Sequence, residues 1–446
     1  MDSPPPSIRL MVDADAAVPA PAGLVLEPFR AARFSAAGPD LAPLTSPPYD
    51  VIDEAEQAAL EAADEHNVVR LILPRDRSAD EPGSRYERAA QTLREWLAAG
   101  VLVRDDRPAL YVYEEQQDGH VQRGLVGAVA LADPDAGIIL PHENTMAGPV
   151  SDRLALTRAT RANLEPIFLL YEGGGEASRV VAAVVETPPL LETTTDDGVR
   201  HRVWAVDDPA TLQTIAADLL PRRAVIADGH HRYATYRQYQ AERHAAGDGP
   251  GPWDFGLTFL VDATVSGPQV HAIHRAVRGL SLQDAVSRAD GPFTVRRLTG
   301  PGAAAGALDP GWLLDELAKA GQEGHAFVIS DGTEAYLLTD PSPELLARTL
   351  PADRSEAFRR LDVTVAHLAL IVHLWGLEDR VGVVDYFHDA PAALAAARER
   401  SGVALLLNPT PVADVTAVAG AGERMPRKST LFTPKPRTGL LLRPLD

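Results

Sequence analysis

The sequence contains no cysteine among its 446 residues. Disulfide bonds and thiolate metal sites are therefore excluded, as is common in a reducing compartment. Apolar runs such as 124–132 are far shorter than the ~18 residues that a membrane-spanning helix requires. The N-terminal stretch also lacks the basic start and long apolar segment of a secretory signal. We therefore expect a cytoplasmic protein without a membrane partner.

Positive charge is scarce, since 42 Lys and Arg residues stand against 62 Asp and Glu residues, for a formal net charge of −20. Sequence-independent binding to nucleic acid needs a basic surface, so we exclude broad nucleic-acid binding. The GxxxxGK[ST], GxGxxG and HExxH signatures are also missing. A site for a small anion would have to be built from basic residues that are concentrated locally.

The length predicts two or three units at ~100–200 residues per domain. The Pro- and Ala-rich residues 1–22 are expected to form a disordered tail. Alternating strand and helix patterns predict an N-terminal α/β domain over 23–247, carrying the segments PHENT and DGHHR. After the glycine-rich GDGPGPWD, residues 248–446 predict a C-terminal α/β domain with a basic arm. The fold class is therefore α/β in the mixed α+β sense, with a mixed sheet in its core.

Two local assignments bear on the candidate site. The short apolar run NVVRLILP, from Asn67 to Pro74, predicts a strand because it is rich in β-branched residues. Ser151 is a good N-cap residue, so we expect a helix over 152–163.

The segment ADGHHRY follows an apolar run that predicts a buried strand. Asp228 then falls at the carboxyl end of the strand, Gly229 permits a sharp turn, and His230, His231 and Arg232 open a helix. Such a point, where helix N–H groups meet charged side chains, suits an anion. In the alternative interpretation, Asp228 only caps the helix and the histidines are solvated. Adjacent helical residues point ~100° apart, which disfavours a metal bound by both histidines.

A second constellation is PHENTMAGPVSDRLALTRATRAN. Glu143 lies in a predicted loop, where a carboxylate is a candidate general base. Arg153, Thr157 and Arg161 are spaced four apart, which places them on one helical face suited to phosphate or carboxylate recognition. Alternatively, this is a solvated face whose arginines pair with acidic residues.

Two further segments carry charge. SPPYDVID presents Tyr49 and Asp50 after a double proline, an arrangement that serves a site or simply a turn. GERMPRKSTLFTPKPRTG, near the C-terminus, is either a basic tail or an arm that contacts phosphate. Its candidate phosphate contacts are Lys428, Ser429, Thr430 and Lys435.

Several of these segments, in the order SPPYDVI, NVVRLILP, PHENTM, IADGHHRYATYRQY, LLLNPT and GERMPRKSTLFTPKPRTGLL, resemble the domain of unknown function 1015 family from about Leu26 onward. That resemblance implies no activity. More remotely, DGHHR after a strand is similar to the motif of the free serine kinases of the ParB/sulfiredoxin-like superfamily. This likeness implies that Asp228, His230, His231 and Arg232 handle phosphates, metal and substrate, with Glu143 as the candidate base. The chain differs from those kinases in its length, its additional C-terminal half and its long insertion between Glu143 and Asp228.

The resemblance implies phosphoryl transfer from a nucleotide, ATP or ADP, to the hydroxyl of a small amino acid such as L-serine. Mg²⁺ would bridge the phosphates, with Asp228 as its protein ligand. Two alternatives stay open: a nucleotide-binding regulatory protein without transfer, and a phosphohydrolase in which Glu143 activates water. The predicted residues that contact the nucleotide are Gly229, Arg232, Arg153, Arg161, Lys428, Ser429 and Thr430.

Overall fold

The computed structural model describes residues 18–77, 81, 83–301, 308–378 and 382–446. It divides into two compact units. The first comprises the chain up to Ile139 together with Thr145–Gly267 and Lys435–Asp446, and the second comprises Leu140–Asn144 and Pro268–Pro434. Most of the predicted N-terminal tail, residues 1–17, lies outside the described residues.

The strands follow the alternation that the sequence predicts. In chain order they are β1 Leu26–Glu27, β2 Ala32–Phe34, β3 Leu102–Arg104, β4 Leu110–Gln117, β5 His120–Ala130, β6 Ile139–Leu140, β7 Ala162–Asn163, β8 Ile167–Tyr171, β9 Leu191–Thr194, β10 Arg200–Val206, β11 Ala224–Asp228, β12 Phe255–Asp262, β13 Gln269–His271, β14 His274–Val277, β15 Thr294–Leu298, β16 Ala326–Ser330, β17 Ala335–Thr339, β18 Val384–Phe387, β19 Val403–Leu406, β20 Leu431–Thr433 and β21 Arg443–Pro444.

The helices lie between these strands, and α12 continues into a π-helical segment, Ala366–Leu374. Within the described ranges, no helix is long and apolar enough to cross a membrane. In chain order the α-helices are α1 Glu54–Ala63, α2 Val69–Ile72, α3 Ser84–Ala98, α4 Ala147–Thr160, α5 Glu176–Val184, α6 Pro209–Leu219, α7 His230–Ala245, α8 Leu282–Ala289, α9 Pro310–Gly321, α10 Pro343–Thr349, α11 Glu356–Arg359, α12 Asp362–Val365, α13 Ala390–Glu399 and α14 Val412–Gly420.

The main sheet of the first unit has the order β6-β11-β8-β12-β5-β4-β10-β9, and β1 pairs with β5. β12 runs parallel to β8 and antiparallel to β5, so the sheet is mixed, as the sequence predicts. β12 lies beyond the boundary that GDGPGPWD suggested, yet it is a central strand of this sheet. The first unit therefore extends to Gly267 and not to 247, and it also takes in the last residues of the chain.

One face of the main sheet is covered by α5 and α6. Val181 and Ile215 of these helices join the same buried cluster as Leu169, Trp204 and Ile226 of the strands. The sequence signals for this packing are the apolar positions that recur at helical spacing in α6 and the continuous apolar runs of the strands. Tyr233 and Tyr236 of α7 belong to the same cluster, so the core also holds β11 and the helix that follows it.

The second unit is built on a sheet with the order β15-β17-β16-β19-β14-β18. Its neighbouring strands pair antiparallel. Leu313 and Leu317 of α9, together with Ala393 and Ala397 of α13, pack into one buried cluster with the strands. This unit is also mixed in helix and strand content, as expected from the sequence.

The strand predicted over NVVRLILP is wrong, because the segment contains the helix α2. The side chain of Asn67 explains the difference. Its Oδ1 accepts from the Val69 N–H at 2.9 Å, and its Nδ2 donates to the Pro43 and Thr45 carbonyls at 2.7 and 3.0 Å. These bonds fix a helical turn, and a short apolar run is compatible with either buried structure.

The helix predicted to begin after Ser151 begins earlier, at Ala147, with Met146 as its N-cap. Pro149 falls in the first turn, where the N–H that proline lacks would have no partner in the helix. The helix also ends earlier, because Arg161 has a φ of 48° and forms its left-handed C-cap. Arg161 therefore lies off the helical face that carries Arg153 and Thr157.

A buried polar group lies within the main sheet of the first unit. Glu115 of β4 is fully buried, accepts from Gln122 Nε2 at 2.6 Å, and lies 3.8 Å from His201 Nδ1. Burial raises the pKa of Glu115 to about 8, and it lowers the pKa of His201 to about 3. At neutral pH both side chains are therefore neutral in the folded state.

The raised pKa of Glu115 predicts a loss of stability above neutral pH. The unfolded state releases this proton near its ordinary pKa, whereas the folded state holds it up to about pH 8. The free energy of unfolding therefore falls as pH rises, by about 1.4 kcal/mol per pH unit for one proton. Between pH 7 and 8, where His201 is neutral in the folded state and largely neutral in the unfolded state, we expect Glu115→Gln to remove this decline. Urea unfolding across that range measures the free energy of unfolding of each protein. An equal decline with pH in the wild type and in the variant would show that Glu115 is not the cause.

Candidate functional site

The DGHHR segment lies where a strand passes into a helix. β11 ends at Asp228 and α7 begins at His230, with Gly229 as its N-cap. Gly229 has a φ of +92°, and a Cβ there would lie 3.1 Å from Arg232 Nε and 3.2 Å from Ile167 Cγ2. This position therefore favours glycine for its backbone as well as for its space. The strand, turn and helix lie where the sequence places them.

Asp228 is the centre of a buried ion cluster. Lys435 Nζ donates to its Oδ1 at 2.6 Å, and Arg232 donates to its Oδ2. The side chain of Arg232 is 3% exposed and that of Asp228 is 13% exposed. Lys435 also lies 3.7 Å from the carboxylate of Asp50 in the SPPYD segment. Two motifs and the C-terminal segment thus meet at one carboxylate within the first unit.

The charges of this cluster set the protonation states of its members. Burial by itself opposes the ionised form of Asp228, but Lys435 and Arg232 together hold its pKa at about 2. Burial likewise disfavours the charged form of Lys435, yet Asp228 and Asp50 raise its pKa above the ordinary value. At neutral pH the cluster therefore consists of ionised groups that hold each other in place.

Tyr49 joins the cluster from the SPPYD segment. Its backbone N–H donates to Glu165 Oε1 at 2.9 Å. The guanidinium of Arg153 lies over its ring, 4.2 Å from the centroid, at the distance of a cation–π contact. Burial raises the pKa of Tyr49 to about 12, so its hydroxyl stays protonated at neutral pH. The double proline thus places Tyr49 against Glu165 and Arg153, and a functional role for Tyr49 stays a prediction.

Glu165 is a residue of this site that the sequence analysis missed. It is buried, lies 3.8 Å from Arg153 Nη1, and is within 3.4 Å of the Thr438 hydroxyl. Burial raises its pKa, while Arg232 and Arg153 oppose that rise. A signal was present in the sequence, because LEP places a carboxylate directly before a continuous apolar strand. Its partners, however, lie far away in the sequence.

The two histidines of DGHHR have different surroundings. His231 Nε2 accepts from the Met146 N–H at 3.0 Å, at the N-cap of α4, and is half-buried. Burial lowers the pKa of His231, so the ring is neutral at neutral pH and can accept this bond. His230 is buried at the first position of α7. His231 therefore connects the start of α4 to the start of α7.

The sequence left open whether the arginines of α4 and its C-cap serve a site or form a solvated face, and they do not all behave alike. Arg153 is buried and donates to the Ile72 carbonyl and to Asp152, so it holds structure within the site. Arg158 pairs at the surface with Glu242, as a solvated face would. Arg161 is exposed at the C-cap. Arg153 and Arg232 are buried and pair with Glu165 and Asp228, and their contact with a nucleotide stays a prediction.

Residues 141–144 of the PHENT segment belong to the second unit and Thr145 belongs to the first, so PHENT is not carried by the N-terminal domain as predicted. There the His142 ring nitrogen Nε2 lies 3.0 Å from the Thr430 hydroxyl, and the His142 carbonyl accepts from the Met425 N–H at 2.8 Å. Glu143 itself is half-buried. PHENT and the KST segment are therefore brought together, and the role of Glu143 as a base stays a prediction.

The basic C-terminal arm is divided between the two units. In the second unit the Lys428 carbonyl accepts from Arg275, and buried Ser429 donates to the Pro426 carbonyl. From Lys435 onward the chain packs into the first unit, where Leu440, Leu442 and Leu445 are buried. The last residues are thus part of a core, and neither a tail nor a detachable arm describes them.

The predicted role of Asp228 as a Mg²⁺ ligand does not fit this arrangement. Both of its carboxylate oxygens already accept from cations, Oδ1 from Lys435 and Oδ2 from Arg232. Across the described ranges, no group of three or more His, Cys, Asp or Glu side chains is placed to hold a metal ion. Asp228 instead fixes two positive side chains beside the first turn of α7.

The fold and this site characterise a mixed α/β protein with a cation-bearing strand–helix junction. The sequence matches the family model described as a protein of unknown function, DUF1015, over residues 26–364. The chain belongs to this family. No curated protein matches the sequence.

Several solved structures are similar at low identity. A free serine kinase variant in complex with ADP is 12% identical, with a TM-score of 0.33. The match covers 70% of this chain and 88% of the kinase chain. SbnI with a C-terminal truncation from Staphylococcus aureus is 12% identical, with a TM-score of 0.34, covering 72% of this chain and 87% of its own. A conserved hypothetical protein from Pyrococcus furiosus is 14% identical, with a TM-score of 0.29, covering 66% of this chain and 87% of its own.

The depressed pKa of Asp228 predicts a stability effect. The ionised carboxylate stabilises the fold above its unfolded pKa, and this contribution is lost as pH falls toward about 2. A depression of this size corresponds to on the order of 2 kcal/mol. We expect Asp228→Asn to lower the free energy of unfolding by about that amount at pH 7, and by progressively less below pH 4. Urea unfolding measures both.

Glu242→Gln is the matched control, because it breaks an ion pair with Arg158 in which both side chains are far more exposed. We expect it to cost under ~1 kcal/mol. Equal losses in the two variants at pH 7 would show that the Asp228 cluster adds no more than a surface pair.

Proposed function

We propose that this protein is a nucleotide-dependent phosphotransferase that moves a phosphoryl group to the hydroxyl of a small amino acid. The observation that supports this proposal is the pairing of Lys435 with Asp228 at the first turn of α7. L-Serine is the acceptor that the DGHHR resemblance implies. ATP or ADP is the proposed donor.

The physical argument begins with the helix. α7 is 16 residues long, and its first N–H groups and partial positive charge favour an anion at its start. Gly229 adds no side chain there that would keep a ligand from the backbone. Lys435 Nζ adds a full positive charge, and its side chain is 19% exposed. These groups can receive a phosphate without a glycine-rich nucleotide loop.

Phosphoryl transfer asks little covalent chemistry of a protein, because positioning and charge neutralisation lower most of the barrier. A cation that is fixed before the nucleotide arrives serves this need, since it does not have to be ordered during the reaction. Asp228 holds the ammonium group of Lys435 in place by an ion pair, and the carboxylate of Asp50 also lies near that ammonium group. A phosphate that enters can compete with these carboxylates for the ammonium group.

The remaining residues take separate proposed roles. Arg232 and Arg153 are positioning residues, because both are buried. Neutral His231 offers a polar group beside the helix start, and Glu143 is the proposed general base that takes the acceptor hydroxyl proton. Mg²⁺ would accompany the nucleotide, held mainly by its phosphates. The proposed further phosphate contacts are Arg161, Lys428, Ser429 and Thr430.

Removal of the ammonium group predicts a loss of nucleotide affinity. We expect Lys435→Gln to weaken ADP binding about 10- to 100-fold, because a hydrogen bond to a charged group contributes ~1.5–3 kcal/mol. Isothermal titration calorimetry with Mg²⁺ present measures this. Lys319→Gln is the matched control, since Lys319 is 70% exposed on α9. Equal affinities in the two variants would remove Lys435 from the nucleotide site.

Neutralising the proposed base should lower the reaction rate and leave nucleotide affinity unchanged. We expect Glu143→Gln to keep nucleotide affinity within about twofold and to lower the single-turnover rate of phosphoserine formation ~10²- to 10⁴-fold, because a general base acts mainly in the transition state. Inorganic phosphate in place of phosphoserine would indicate a phosphohydrolase. Nucleotide binding without either product would indicate a regulatory protein. An unchanged rate would exclude Glu143 as the base.

A further inference from the structure

The second unit contains a cleft of about 600 Å³, and no residue of the Asp228 cluster lines it. Its lining comes from three segments: the end of α9 with the following turn, 318–325; the start of α12, 360–362; and the turn from β19 into α14, 408–414. Sites for small molecules commonly have volumes of ~300–1,000 Å³. The cleft includes the NPT residues of the LLLNPT segment, to which the proposed phosphotransfer assigns no role.

A histidine–carboxylate pair forms one wall of this cleft. His325 Nδ1 lies 2.6 Å from Asp362 Oδ1, and the two side chains are 18% and 23% exposed. Because the carboxylate accepts a hydrogen bond, the proton of the neutral ring lies on Nδ1 and Nε2 becomes an acceptor. Among the described residues, the ring makes no second hydrogen bond. The pair therefore offers an oriented acceptor.

The charges of the lining are mainly negative. Glu323, Asp362 and Asp414 contribute carboxylates, whereas Arg360 is the basic side chain among the described lining residues. Arg360 is 68% exposed and lies 3.6 Å from Glu356, so its charge is partly matched outside the cleft. A cation inside the cleft is favoured by this imbalance.

Asn408 adds another acceptor to the lining. Its Nδ2 donates to the Leu317 carbonyl at 3.3 Å, which fixes the amide plane and leaves Oδ1 as an acceptor. Gly321 makes room for this side chain, since a Cβ there would lie 2.3 Å from Asn408 Nδ2. α9 also ends at Gly321, and the end of a helix carries a partial negative charge.

We propose that this cleft is a second ligand site, which binds a small primary ammonium compound. The ammonium group pairs with the carboxylates of the lining, and a further N–H or O–H group of the ligand donates to His325 Nε2 or Asn408 Oδ1. A neutral compound of the same shape lacks the charge pairing, and an anion is repelled. None of the lining residues has a role in the proposed phosphotransfer, so this proposal does not depend on the proposed activity.

Calorimetric titration of the full chain tests the site with 1,4-diaminobutane. The matched neutral probe is 1,4-butanediol, which has the same carbon skeleton, and succinate is the anionic probe. We expect saturable binding of the diamine at low ionic strength, and at least tenfold weaker binding of the other two. Binding should weaken as salt is added, because the pairing is electrostatic.

Two variants test whether the diamine binds in this cleft. We expect Asp414→Asn and His325→Gln each to weaken its binding at least fivefold. Asp414 lies in the first turn of α14 and is not one of the buried residues of that helix. Asp315→Asn is the control, because Asp315 is exposed on α9 and does not line the cleft. The proposal would be overturned if the diamine did not bind. It would also be overturned if both lining variants bound the diamine with unchanged affinity.

Discussion

Asp228 draws two cations, Arg232 and Lys435, into one buried cluster, and the arrangement of the first unit around β11 depends on that carboxylate. Arg232 continues the connection to the Pro166 carbonyl at the start of β8. Lys435 brings the end of the chain to the same point. Burying so many charges is unfavourable unless each one is matched. The matching therefore fixes the strand–helix junction, the SPPYD turn and the C-terminal residues in one geometry.

The same matching bears on the proposed phosphate site, which has no nucleotide loop. In that proposal, a phosphate at the start of α7 would meet backbone N–H groups and the ammonium group of Lys435, which Asp228 already holds. Glu165 and Arg153 support this geometry from behind, since Glu165 accepts from the Tyr49 N–H and lies near the buried guanidinium of Arg153. Structure and proposed chemistry thus rely on the same set of ion pairs.

Much of the fold could be predicted from periodicity, because strands such as β11 and helices such as α6 carry patterns that few alternatives match. The failures have physical causes. Asn67 turns a strand-like run into α2 through three side-chain hydrogen bonds, and Met146 begins α4 with its N–H bound to His231. The bonds from Asn67 to the Pro43 and Thr45 carbonyls, and the bond from Met146 to His231, join segments that are distant in the sequence, so no local pattern contains them. Glu165 was missed for the same reason, because its partners come from distant segments.

Phosphoryl transfer from a nucleotide to an amino acid hydroxyl is the activity that we propose for this protein. The most direct measurement is mass spectrometry of the products after the purified full chain is incubated with Mg²⁺, a donor and one amino acid, with ATP, ADP and pyrophosphate tested in turn. We expect phosphoserine from L-serine with a nucleotide donor, and no phosphorylated product from L-alanine, which lacks the hydroxyl. Intact donor and unmodified amino acid in every combination would contradict the proposal.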